Sequence, residues 1–191
     1  MLLLAFGILL FAGVHLIPSL APTLKANWHN RLGEGGYKSS FSLLLLAALA
    51  LIIIGWRSTL PTLVYLPAPA LHGPALALLV IAFLLLVVSS RKSRLRRLVR
   101  HPQLTGVVLW GTAHLLLNGD NRSLLLFGGI SLWAIVEILA INRRDGDWHK
   151  PEVPLWRAEI VTLVITGAVI GLVIYVHPWL AGVPVRGPAP L

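Results

Sequence analysis

Cysteine is absent from the 191 residues, acidic side chains number only seven, and charged residues of both signs make up 12%. The first absence excludes disulfide staples, iron–sulfur clusters, covalent c-type haem attachment and thiolate ligation, because each is built on cysteine sulfur. The scarcity of charge excludes a soluble globular domain, which carries about 25% charged residues. Disorder is excluded by the opposite feature. Fully 57% of the residues are hydrophobic and mean hydropathy is +0.82, whereas disordered chains are poor in apolar side chains. What remains is an integral membrane protein. A transmembrane helix takes about 20 apolar residues, so six spans would use roughly 120 residues and leave short loops around a single compact domain.

Six apolar runs are present: Met1 to about Leu20, about Phe41 to Trp56, Leu71 to Val88, Leu104 to Leu117, Leu124 to Ile141 and about Ile160 to Trp179. Backbone amides in hydrocarbon must find partners within their own segment, so such runs are helices. The fold class is therefore all-α, a polytopic transmembrane bundle. The fourth run is short, about 21 Å of helix against a hydrocarbon core of about 30 Å. A re-entrant fourth segment with five true spans is thus the alternative. The basic residues decide between the two. Lys25, Arg31 and Lys38, then Arg91, Lys92, Arg94, Arg96, Arg97 and Arg100, then Arg143, Arg144, Lys150 and Arg157 occupy alternate loops. Only Arg57, Arg122 and Arg186 fall in the others. This division alternates strictly only with six spans. Lys and Arg next to spans mark the cytoplasmic side, so both termini are expected outside, in the periplasm of a bacterial inner membrane. The net charge of +9 accordingly reports sidedness and attraction to anionic headgroups, and nucleic acid is excluded as a partner. The first run is expected to be a retained span rather than a secretory signal, because its first positive charge, Lys25, follows the apolar stretch. Residues 1–180 are expected to form the membrane domain, and 181–191, with three prolines and two glycines, an unstructured tail.

Ionisable groups inside spans are costly and mark functional candidates. Four stand out: His15 in the first run, His101 and His114 at the start and middle of the fourth, and Glu137 in the fifth. His72 and His177 at run ends, and His29 and His149 in loops, read as interfacial or solvated. Helical side chains lean toward the N-terminus and cover the turn before them. Ala12 precedes His15 by three residues and Gly111 precedes His114 by three, which leaves room there for a flat macrocycle against the backbone. His101 and His114 lie about 140° and about 20 Å apart on one helix and cannot share a metal. His15 is the other histidine well inside hydrocarbon. It sits about 8 Å, and His114 about 15 Å, from the cytoplasmic end of its run. Structural zinc wants four ligands, typically with cysteine, whereas a b-type haem between helices needs two imidazoles. Haem b held by His15 and His114 is the cofactor expected.

At the start of the fourth run, Pro102 suits the first helical turn. It sets Arg100 and His101 beside the positive end of the helix dipole, favourable for an anionic group such as a propionate. Asn118-Gly119-Asp120-Asn121-Arg122 reads as a C-cap followed by a tight turn. Glu137 is expected to reach the interface or to pair with an arginine such as Arg143.

Arg100-His101-Pro102-Gln103-Leu104, then Gly106, Leu109-Trp110, Ala113-His114 and Asn118-Gly119-Asp120, together with His15-Leu16-Ile17-Pro18, resemble the NnrU family over the chain to about residue 180. The resemblance implies a bacterial membrane protein associated with nitrite and nitric oxide reduction, with a respiratory or denitrification enzyme as its partner. The same family includes the 15-cis-zeta-carotene isomerase, a haem b enzyme whose iron-ligating histidines would align with His15 and His114. That likeness implies carotenoid cis–trans isomerisation as the alternative activity. The isomerase carries a cysteine of its ligand switch three residues before the second histidine, and here that position is Gly111. A weaker likeness is to isoprenylcysteine-type membrane methyltransferases, in which Arg-His-Pro contributes to S-adenosylmethionine binding. A transporter or scaffold without cofactor, its histidines only bridging helices, is the remaining alternative.

Overall fold

A computed structural model of the chain describes residues 1–182 and residue 185. The bundle consists of α1 (Leu2–Leu20), α2 (Pro22–Ser58), α3 (His72–Ser89), α4 (Pro102–Leu117), α5 (Asn121–Asp145) and α6 (Trp156–Ala181). Among the described residues there is no strand, and one isolated bridge joins Leu63 to Asp120. The expected tail lies outside the described residues from residue 183 onward, Val185 excepted, and Ala181 still belongs to α6.

Five helical segments are long and apolar enough to cross a membrane: Leu2–Leu20, Pro22–Ser58, Pro69–Ser89, Asn121–Asp145 and Trp156–Ala181. α4 is the exception, with 16 residues and a length of about 24 Å. Polar contacts sort the helix ends into two groups. Arg144 donates to the Pro18 carbonyl at 3.2 Å, His101 meets Asn142 at 2.8 Å, and Ser93 donates to Glu159 at 2.9 Å. These contacts gather the ends of α1, α3 and α5 with the starts of α4 and α6, where the Lys- and Arg-rich segments lie. At the opposite end the Met1 amine donates to Thr59, Trp56 to the Ala181 carbonyl, and Arg122 to the carbonyls of Trp56 and Thr59. Successive helices therefore run in opposite directions.

One expected loop is not a loop. The segment 21–40 continues as helix from Pro22, whose fixed φ suits the first turn. The helix breaks at Gly33, where φ is 69°. The chain doubles back at this point, bringing Trp28 within 5.1 Å of Tyr37 and within 6.3 Å of Phe41, ring centre to ring centre. A left-handed φ of this kind favours glycine, which has no Cβ to clash.

α5 is the shared wall of the bundle. α1 packs on α2 and α5, α4 packs on α3 and α5, and α6 lies outside against α3. The buried core is correspondingly thin: Leu4 and Ile8 of α1, Ile52 of α2, and Ile130, Trp133 and Ala134 of α5. α1 and α2 approach closely because Gly7 and Gly55 carry no side chain. A Cβ on Gly7 would stand 2.8 Å from the Ile52 amide nitrogen, and one on Gly55 would strike the Leu4 backbone. Small residues at contacts are how helices associate where lipid removes the hydrophobic drive between them. The outer surface is apolar, with Leu9 69% and Val164 68% exposed; lipid tolerates such a surface and water does not.

In the bend between α4 and α5, Asn118 is the C-cap of α4, as the sequence suggests. Gly119 has no left-handed φ. Its carbonyl instead accepts from the amides of Val64 at 2.8 Å and Tyr65 at 3.0 Å, and a Cβ there would collide with the Tyr65 carbonyl. Asp120 is an N-cap: its carboxylate accepts from the amides of Arg122 and Ser123 and from the Ser123 hydroxyl. Burial and the nearby Asp120 push the Tyr65 phenol above its ordinary value.

Candidate haem site

The two intramembrane histidines hold the same local pose. His15 Nδ1 lies 2.9 Å from the Phe11 carbonyl and His114 Nδ1 lies 2.8 Å from the Trp110 carbonyl, four residues back in each helix. A carbonyl only accepts, so in both rings Nδ1 carries the hydrogen and donates it. In the neutral imidazole this leaves Nε2 with its lone pair, the tautomer in which a histidine ligates through Nε2.

Aromatic side chains fix both rings. His15 is packed by Phe11 at 4.2 Å, by Trp133 of α5 at 4.9 Å and by Phe41 of α2 at 5.9 Å. His114 stacks on Phe127 of α5 at 4.3 Å with 24° between planes, and touches Trp110 at 4.8 Å. Phe127 lies in a π-helical turn, Leu124–Gly128, an irregularity that recurs at functional sites. Phe127 and Trp133 are six residues apart on α5, about 9 Å along its axis. The two imidazoles thus sit at different levels of the same wall, His15 nearer the basic end, in the same sense as the offset read from the sequence.

The other candidates are distributed as follows. Ala12 is half-buried and packs against the core beside His15. Gly111 does not leave the open turn expected of it. A Cβ there would strike the Ser131 hydroxyl and stand 2.9 Å from the Phe127 carbonyl oxygen, so α5 itself occupies that space. His101 is the N-cap residue of α4, and its Nε2 meets the Asn142 side-chain oxygen at 2.8 Å, tying α4 to α5. Arg100 is half-buried next to it. Glu137 is buried and, contrary to the expected pairing with Arg143, accepts the Ser19 hydroxyl at 2.9 Å.

Two buried polar atoms near the histidines have no hydrogen-bond partner among the described residues. They are Ser131 Oγ, against Gly111, and Trp133 Nε1, on the ring that touches His15. Buried polar groups normally find a partner, and both lie on α5, whose part in the site the sequence did not reveal. Among the described residues no group of three or more His, Cys, Asp or Glu side chains comes together, so each imidazole is a ligand candidate outside any larger cluster.

An all-helical bundle with five helical segments long and apolar enough to cross a membrane has the character of a multi-pass membrane protein. The family model described as NnrU protein matches residues 3–185. The chain belongs to the NnrU family. No curated protein and no solved structure matches it.

Proposed function

We propose that the protein serves in the bacterial inner membrane as an accessory to nitrite and nitric oxide reduction, and that His15 of α1 and His114 of α4 would hold a haem b. The protein's part in that reduction is electron transfer or nitric oxide handling. The observation that carries this reading is the common pose of the two imidazoles, each inside a helix, ringed by aromatics and locked with Nε2 as the bare nitrogen. The donor set fits the group, because a bis-histidine b-type haem asks two such nitrogens of the protein. Trp133 Nε1 and Ser131 Oγ, buried without a hydrogen-bond partner among the described residues, leave two polar atoms on α5 beside the histidine helices. When bound, haem would supply a one-electron centre whose potential is tuned by the residues that hold and surround it. Ala12 keeps the flank of His15 low. Arg100 would hold a propionate, while His101, taken up by Asn142, fixes the start of α4 beside it. Protein expressed with ample haem should show a Soret band in detergent with haem and chain in equal amounts. A colourless protein would remove the reading.

The same reading sends all six helices across the membrane with both termini outside, in keeping with the two groups of helix ends. The absence of cysteine makes single replacements informative. In intact spheroplasts, Arg57→Cys and Asn121→Cys should react with a membrane-impermeant maleimide, and Arg97→Cys only after lysis. A re-entrant α4 would instead place residues 97 and 121 on the same side, and protection of both would disprove the six-span arrangement.

A further inference from the structure

At the basic end, a cavity of about 530 Å³ opens between the α3–α4 connection and the start of α6. Its walls are held in place by specific contacts. Glu159, in the first turn of α6, accepts from the Ser93 hydroxyl at 2.9 Å and from the Arg94 amide at 2.6 Å. Ser93 is 2% exposed. The Arg94 guanidinium lies 4.0 Å above the Trp156 ring and donates to the Pro154 carbonyl at 3.5 Å. Arg94 and Glu159 are thus consumed in building the walls.

Three other cations line the cavity: Lys92 and Arg96 from the connection and Arg157 from α6. None of them has an ion-pair partner among the described residues, whose pairs are Lys38–Glu34, Arg122–Asp120 and Arg144–Asp145. Glu152 also lines the cavity, so the balance of its charges is positive. Converging unpaired cations repel one another and favour an anion between them. Val153 and Leu155, which also line the cavity, are 54% and 65% exposed, and Trp156, next in the chain, is 67% exposed. Cations and exposed apolar side chains side by side, at the end of a membrane bundle, match the two parts of a phospholipid, an anionic head and acyl chains. Basic pockets between membrane helices take anionic headgroups in this manner, and tryptophan settles at the headgroup level.

We infer that this cavity is a binding site for the phosphodiester headgroup of an anionic phospholipid, gripped by Lys92, Arg96 and Arg157, with the acyl chains lying along α3 and α6. The test is native mass spectrometry of the full chain in detergent, titrated in parallel with phosphatidylglycerol, phosphatidylcholine and inorganic phosphate. Phosphatidylglycerol should bind at least tenfold more tightly than phosphatidylcholine, and inorganic phosphate at the same concentration should not displace it. The double variant Arg96→Gln/Arg157→Gln should weaken phosphatidylglycerol binding roughly 30-fold, about 2 kcal/mol for two cations near an anionic headgroup. Arg96→Lys/Arg157→Lys should keep it within about threefold, as should Lys25→Gln/Arg31→Gln on α2. Equal loss in the α2 variant would show diffuse attraction and overturn the site. Displacement by inorganic phosphate would assign the cavity to a free anion and overturn the lipid. Equal binding of the two lipids by the unaltered chain would do so even if the variants failed to fold.

Discussion

Gly119→Ala is expected to lower the stability of the folded bundle by about 3 kcal/mol, the upper end of what overpacking costs. The added methyl would collide with the backbone carbonyl of Tyr65, which cannot rotate aside as a side chain can. Relief would require the connection before α3 to move. That movement would weaken the Val64 and Tyr65 amide bonds to the Gly119 carbonyl, as well as the Asn121 amide bond to Thr62 at 2.9 Å. Each such bond contributes about 1 kcal/mol. The check is a denaturant titration in mixed micelles, with Gly167→Ala as the control. At Gly167 a Cβ would meet nothing within 4 Å, and the exchange should gain up to about 1 kcal/mol of helix propensity. Equal stability of Gly119→Ala and the parent chain would show that the bend is not packed as described.

Gly111→Cys is expected to cost about 2 kcal/mol, again from overpacking. Its Cβ would meet the Ser131 hydroxyl and the Phe127 carbonyl. Ser131→Ala alone should be almost silent, because Ser131 Oγ is buried without a partner among the described residues. Combined, the two changes should recover at least about 1 kcal/mol, the coupling expected of residues in contact. Additive effects would contradict the contact. The result bears on the isomerase alternative, since the resemblance implies a cysteine of the ligand switch at this position. Here α5 fills the space, and supplying the cysteine without altering Ser131 would strain the wall that packs His114.

The helices were legible from the sequence because hydrocarbon leaves the backbone no other choice, and His15 and His114 were legible because a polar ring in an apolar run has to be accounted for. The segment 21–40 was misread for the complementary reason. Its polar residues look like a loop, whereas Pro22 opens a helix that Gly33 then turns back on itself. α5 as the shared wall was invisible. In a helix apolar on every side the pattern carries no face, so nothing in the run Leu124–Ile141 singled out Phe127, Ser131 and Trp133 as the residues that meet the histidine helices. The glycines were seen but misassigned. Gly119 has the letters of a turn and acts by close approach to Tyr65, and Gly111 has the look of open space and is filled by its neighbour. Glu137 was recognised as out of place, but its partner, Ser19, lies 118 residues away in the chain, a distance no local pattern spans.

The most direct test of the haem assignment is the absorption spectrum of the purified chain beside those of His15→Ala, His114→Ala and the double variant. The unaltered protein should show the spectrum of a six-coordinate low-spin haem. Each single variant should lose that signature, and the double variant should retain no haem while still eluting as a folded bundle. A parent spectrum that persists in the double variant would contradict the assignment of His15 and His114 as the ligands.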